Sequence, residues 1–278
     1  MNRISAVLVI YNEEKVIKRC LESIKGLADE IIVIHDGKCE DRSLEICKKY
    51  TDKIYTRKHI GEAEGHRIFS FEKTSYEWIL QIDADEYINK NEHTKIRRLI
   101  ENKNINGYAF LWKLWDGEKY ITKYSPHKTC LVKKSEMKFI ASPHEMINLK
   151  NGKTKNVNIT LEHKPQYDNF TLKVFKSKWL KWAKIQAKTL SKDFDKVEKI
   201  GYSKTIHKWP FPKEIRRSFP LIFIPIDISN IVYSMCLEFR KDISFKIFKV
   251  ILLNIYYVIF LDIYIWKYKK LKINGKED

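Results

Sequence analysis

The sequence predicts an α/β fold with an open, mostly parallel sheet flanked by helices, on three observations. Continuous apolar runs at residues 4–11 (ISAVLVIY), 30–34 (EIIVI) and 78–82 (WILQI) have the pattern of strands buried on both faces. Segments with helical spacing lie between them. Polar residues follow each run at once, and that is the edge where open α/β sheets bind ligands.

In order along the chain, residues 4–11 read as the first strand. Residues 13–25 read as a helix, with Val16, Ile17, Cys20, Leu21 and Ile24 on one face. A second strand at 30–34 precedes a helix near 41–50 and a short strand at 53–55. Residues 62–74 are expected to be helical, and 78–82 form the strand before Asp83-Ala84-Asp85. From residue 106 the pattern changes to short strands (108–114, 129–133 and 157–162) alternating with turns. One long helix follows over 169–194, with Leu172, Phe175, Trp179, Trp182, Leu190 and Phe194 recurring along it. The expected organisation is 1–105 as the first half of one domain, 106–200 as its second half, and 201–278 as C-terminal apolar and basic helices. The join near 105 reads as a lobe boundary, not a hinge.

Charge divides the chain the same way. Of 53 Lys and Arg and 35 Asp and Glu, 18 of each fall in residues 1–100, so the whole net charge of +18 sits beyond residue 100. Such an excess implies an anionic partner. The charge is diffuse and no nucleic-acid motif accompanies it, so no nucleic acid is expected. Five cysteines without a CxxC pair argue against a disulfide framework and favour a reducing compartment. The first apolar run is too short for a signal peptide.

Two apolar runs end the chain, Phe219–Met235 and Val250–Leu261. Pro220, Pro225 and Asp227 are expected to break the first, and Asp262 to interrupt the second, whose 12 residues fall short of a span. Core helices and a true span are both open readings. The preferred one is a pair of helices in the membrane interface with lysines on lipid phosphates.

The chemistry-bearing residues lie behind the strands. Residues i and i+2 of an extended segment point the same way, so Asp83 and Asp85 are expected on one side with a hard divalent cation between or beside them, the alternative being a turn with solvated acids. Asn12, in Tyr11-Asn12-Glu13-Glu14 after the first strand, is placed to cap the following helix and to line a site, and both roles can hold. Asp36, before Gly37, is placed to accept hydrogen bonds from a ribose or base edge, or simply to make a turn. Arg67 is placed to pair with a phosphate. Later, Glu145 in SPHEMI is a candidate general base, and His144 and His163 are candidate imidazole ligands. Walker, GxGxxG, GxSxG and HExxH motifs are absent, which argues against P-loop enzymes, Rossmann dehydrogenases, α/β-hydrolases and zincins.

VLVIYNEEKVIKRCLESI, EIIVIHDGKCEDRS, GEAEGHR and WILQIDADE together resemble family 2 glycosyltransferases, over roughly the first 90 residues. SPHEMI and LEHKPQYDNF resemble the lipopolysaccharide-core glucosyltransferase-like branch. The resemblance implies a GT-A fold with a C-terminal helical membrane-associating extension. It implies an inverting, metal-dependent hexosyltransferase using a nucleotide-diphosphate sugar, with Mn²⁺ or Mg²⁺ at the DxD motif. The acceptor would be lipopolysaccharide core or a similar envelope glycan or glycolipid; the alternatives are a polyprenyl phosphate, or a non-catalytic basic binding module. By the same resemblance Tyr11, Asn12 and Glu13 line the base and ribose site, and Asp36 contacts the nucleoside. Arg67 lies near the nucleotide, Asp83 contacts ribose or metal, Asp85 ligates the metal and His163 completes its shell. Glu145 deprotonates the acceptor, with Asp116 in reserve. Lys128 or Lys133 stands in for an Arg that the family carries before the HE motif. The location implied is cytoplasmic, peripheral on the cytoplasmic face of the cell membrane, on an anionic surface through the C-terminal helices.

Overall fold

The apolar run at the N-terminus becomes the centre of the sheet because it has two faces to bury. In the computed structural model, which describes residues 2–121, 126–151, 154–191, 198–201, 219–239 and 245–273, β1 (Ile4–Ile10) pairs in parallel on both sides. One neighbour is β2 (Glu30–Asp36). Helix α1 (Ile17–Ile24) lies between them in sequence and buries Ile17, Cys20, Leu21 and Ile24, the i, i+3, i+4, i+7 stripe that makes a helix pack on a sheet. Next come α2 (Ser43–Cys47), β3 (Ile54–Arg57), α3 (Glu64–Glu72) and β4 (Trp78–Gln81), the other neighbour of β1.

The second half adds β5 (Glu86–Ile88), α4 (His93–Leu99), β6 (Gly107–Trp112), β7 (His127–Lys133), β8 (Met137–Ile140), β9 (Asn148–Leu149) and β10 (Lys155–His163). Eight strands form one sheet in the order β3-β2-β1-β4-β7-β6-β10-β5. It is parallel from β3 to β4. Beyond that it is mixed, because β7 runs antiparallel to both β4 and β6 while β6 and β10 are parallel. The α/β layering is the one expected. Alternate residues of β1 enter separate cores: Ala6, Leu8 and Ile10 pack with α1, and Val7 packs with Phe71 of α3.

Four expectations change. The helix expected from residue 13 starts at Ile17, because residues 13–16 first make a tight turn, with the Val16 N–H donating to the Glu13 carbonyl at 3.0 Å, and the Glu13 and Glu14 N–H groups bond Ser43 and Asp41. The segment 83–85 is not extended: it is a tight turn between β4 and β5, closed by the Glu86 N–H donating to the Asp83 carbonyl at 3.0 Å. The long helix is α5 (Leu172–Val174) and α6 (Leu180–Ser191), joined through a π-helical turn at Phe175–Trp179; residues 192–194 lie outside the described residues. An unbroken α-helix would put Phe175 about 80° from Ala183 around the axis. One residue absorbed by the π-turn returns it to the face that buries Ala183, Ala187 and Leu190.

Finally, the C-terminal runs are not broken. After the short β11 (Lys199–Ile200), α7 (Pro220–Phe239) continues through Pro225, which gives up one backbone hydrogen bond. The last helix, α8 (Phe245–Ile273), continues through Asp262, so the apolar stretch lies within a longer helix than the sequence suggests. It buries Ile247, Val250, Leu253, Leu261 and Ile265 against the π-turn, α6 and the 114–121 segment. Phe248, Leu252, Tyr256, Trp266 and Leu271 remain exposed. Residues 246–272 of α8 are long and apolar enough to cross a membrane by length and composition, with a mean hydropathy of 1.8 over their most apolar 18-residue window.

Candidate functional site

The carboxyl ends of β1, β2, β3 and β4 bring most of the sequence-derived candidates to one edge. The loop after β1 carries Tyr11, Asn12 and Glu13. Asn12 does not cap α1; its Oδ1 accepts the Glu40 N–H at 2.9 Å and so ties this loop to the one after β2. The exposed Tyr11 ring lies 4.9 Å, centroid to centroid, from the His59 ring. This pair forms an aromatic edge at the mouth of the site.

Asp36, at the end of β2, is buried and used internally. Its Oδ1 accepts the Ile60 N–H (2.7 Å) and faces His66 Nε2 (2.8 Å); its Oδ2 accepts the Gly61 N–H (2.9 Å). Burial alone raises a carboxyl pKa, but His66 and the two backbone donors outweigh it and hold Asp36 below its ordinary range. Asp36 thus fastens the 59–61 loop over the site. Gly37 is required beside it: φ is +88°, and a Cβ there would stand 2.8 Å from His59 Cβ.

Asp83 and Asp85 face different partners. Asp83 Oδ1 accepts from Arg67 Nη2 at 3.0 Å, and its Oδ2 accepts from Lys128 Nζ at 2.7 Å. Lys128 also donates to Glu86 Oε1 at 2.6 Å. Glu86 is fully buried and accepts in addition from Trp112 Nε1 (2.7 Å) and the Asp83 N–H (2.9 Å). Burial pushes the pKa of Asp83 up, yet Lys128 and Arg67 reverse this and hold it well below the carboxylate range. Glu86 is pushed up, by burial. The expectation of two carboxylates side by side is therefore corrected: the tight turn points Asp83 at two cations and leaves Asp85 elsewhere.

Asp85 faces His163, at the end of β10, with Nε2 3.4 Å from Oδ2. The other His163 nitrogen, Nδ1, is buried without a hydrogen-bond partner, and Trp112 lies against the ring at 4.5 Å. Burial, then the charge of Asp85, raises Glu13 to about 7, while Lys178 pulls it down. A carboxylate and an imidazole this close, beside a second acid, make a donor pair suited to manganese or a similar ion. No cluster of three metal-binding side chains occurs among the described residues, so the remaining ligands would come from substrate and water.

Two candidates lie away from this turn. Glu145 is in the loop between β8 and β9, where His144 (φ 63°) sets its ring 5.3 Å from Trp182 and 5.2 Å from Tyr257. Asp116, the reserve base, is buried, accepts the Glu118 and Lys119 N–H groups and pairs with Lys246. Its place is to fasten α8 to the 114–121 segment.

Sequence reading missed Glu86, His59 and His66. The signal for His66 is its adjacency to Arg67 on the inner face of α3. It also missed Lys178 and Lys181, on the helix above the site. A Cβ on Gly61 would meet Lys181 Nζ at 2.8 Å, and Lys178 bonds the Tyr167 hydroxyl.

Comparison with known proteins follows the same outline. Relatives include a Rickettsia typhi protein named only as an uncharacterized glycosyltransferase, 28% identical over 135 residues (47% of this chain, 46% of that one). Another is the SPbeta prophage-derived glycosyltransferase SunS of Bacillus subtilis, 32% identical over 129 residues (45% and 28%). The chain spans about half the length of the first and less of the second. Among solved structures, S. aureus TarS 1–349 aligns over 98% of this chain and 92% of its own with a TM-score of 0.42 and 14% identity. Glucosyl-3-phosphoglycerate synthase from Mycobacterium tuberculosis, in complex with Mn²⁺, UDP and glucosyl-3-phosphoglycerate, aligns over 40% and 44% with a TM-score of 0.34 and 22% identity. The model of glycosyl transferase family 2 matches residues 5–164, more than half of the sequence, and the chain belongs to that family.

Proposed function

We propose that the protein transfers a sugar from a nucleotide-diphosphate sugar to a hydroxyl of a cell-envelope glycan or glycolipid, with inversion and with a divalent metal. The observation that carries this reading is Asp85: it lies beside His163, while Arg67 and Lys128 are spent on Asp83. A divalent cation held by Asp85 and His163 would neutralise charge on the departing diphosphate. Tyr11 and His59 flank the nucleoside. The Asp36 carboxylate, by fixing Ile60 and Gly61, holds the loop that closes over it. Glu145 takes the proton of the acceptor hydroxyl as its oxygen attacks the anomeric carbon. The bond from that carbon to the diphosphate breaks, and its electron pair leaves with the diphosphate.

The acceptor class rests on the second half of the chain. All of the +18 charge lies there, and α7 and α8 expose Leu221, Ile222, Tyr233, Phe248 and Leu252. Such faces suit an anionic membrane surface carrying a lipid-borne acceptor, on its cytoplasmic side.

The test is manganese-dependent transfer to an envelope glycolipid fraction, screened over nucleotide sugars. Asp85→Asn should cut turnover at least about 100-fold while leaving the circular dichroism spectrum unchanged. Glu145→Gln should keep donor binding and stop turnover. Full activity in Asp85→Asn refutes the metal role; an unchanged rate in Glu145→Gln moves the base elsewhere.

A further inference from the structure

The cations at the floor of the site are already used. Arg67 and Lys128 have side chains only 9% and 15% exposed, and both are bonded to carboxylates of the turn. Around the loop after β1 the neighbouring charges are mostly acidic: Asp41, Asp83 and Asp85 surround Glu13. A diphosphate entering this edge needs positive charge from another direction.

The helix above supplies it. Lys178 and Lys181 are three positions apart and share a face. Both are exposed. Neither ammonium has a carboxylate partner among the described residues. The Lys178 ammonium pulls the pKa of Glu13 downward. It is set in place by the Tyr167 hydroxyl and by the rings of Tyr167 and Trp182, at 4.7 and 5.5 Å. Lys181 lies over Gly61, in the loop that Asp36 fastens. Lys181 therefore reaches the loop at one side of the mouth, and Lys178 stands three positions before it. The π-turn at Phe175–Trp179 gives this helix a fixed phase on the core, and such turns recur at functional sites.

We propose that Lys178 and Lys181 clamp the diphosphate of the nucleotide-sugar donor. The inference rests on the transferase reading above and adds to it a binding pair outside residues 5–164, the region that the family model matches. Lysine suits the role as a flexible, strongly hydrated point charge that can follow a leaving group outward.

The experiment is calorimetric titration of UDP, GDP, CDP and dTDP, each with MnCl₂, into the wild-type chain, Lys178→Ala, Lys181→Ala and the double variant. The matching nucleosides form a second arm. Lys176→Ala, two positions from Lys178 and so on another side of the helix, is the control. The expected result is that whichever diphosphate binds the wild type is weakened about tenfold by each substitution. The loss should shrink as salt is raised. Nucleoside affinity and the control should not change, and Lys181→Arg should restore most of the binding. Equal diphosphate affinity in the double variant and the wild type overturns the clamp alone. Equal losses for nucleoside and diphosphate overturn it too, because a displaced helix would then be the cause. If no diphosphate binds the folded wild type, the donor reading itself falls and the clamp with it.

Discussion

The turn at the end of β4 and the helix above it treat charge in opposite ways. Around the turn, two acids and two cations are paired at 2.6–3.0 Å and largely removed from water. On the helix, Lys178 and Lys181 stand in solvent without a carboxylate ion pair among the described residues. The first arrangement spends charge on holding a shape; the second keeps it free for an anion. A catalytic edge needs both, because a carboxylate such as Asp85 is presented reliably only if the turn beneath it cannot move.

The sharpest way to break this contrast is to remove one charge from each region. Lys128→Met leaves Asp83 and Glu86 buried without their shared ammonium. Breaking a buried ion network by removing one partner costs about 3–5 kcal/mol. Lys178→Met should stay within about 0.5 kcal/mol, as surface substitutions do. Urea unfolding at neutral pH measures both, and equal midpoints would mean that the turn does not depend on its cations.

Asp36→Asn tests the intermediate case, a buried acid that holds a loop and not a cation cluster. An amide keeps one acceptor for the Ile60 and Gly61 N–H groups and loses the charge facing His66. The expected cost is about 1–3 kcal/mol at neutral pH. The folded pKa of Asp36 is depressed, so its contribution is present above the unfolded value of about 3.9 and is lost as pH falls through the folded value. The gap between wild type and Asp36→Asn should therefore be full near pH 7 and narrow below about pH 4. A gap independent of pH would assign the effect to packing.

The two regions also differ in how far the sequence announced them. β1, β2 and β4 were legible because apolar runs buried on both faces admit few other readings, and Asp83 and Asp85 stood at the expected edge. The pairing inside the turn was not legible. Glu86 looks like a solvated acid next to a DxD, and only the fold brings Lys128 across from β7. His66 bonds Asp36 across thirty positions, which no local pattern encodes. Asp116 read as a spare base because its partner, Lys246, is 130 positions away on α8. Lys178 of the π-turn and Lys181 of α6 were visible only within a basic stretch. Their aim depends on the phase of the helix, and a π-turn changes that phase without changing the composition. Apolar runs with internal Pro225 and Asp262 were expected to break, yet α7 and α8 run on through them.

Gly61→Ala gives the smallest effect and joins the two regions. Gly61 has φ +77°, where a Cβ costs about 1–2 kcal/mol. The added methyl would also stand 2.8 Å from Lys181 Nζ, but the end of a lysine moves aside cheaply. Stability should therefore fall by no more than the backbone cost. Diphosphate binding should fall as well, because the ammonium has been pushed from its place. In Lys181→Ala there is no ammonium left to displace, so Gly61→Ala should add little further loss of binding in that background. A double-mutant cycle read by calorimetry separates the outcomes. Strong non-additivity means that the loop and the helix act on one phosphate group through Lys181. Simple additivity means that Gly61 shapes the loop for its own sake and that Lys181 merely passes over it.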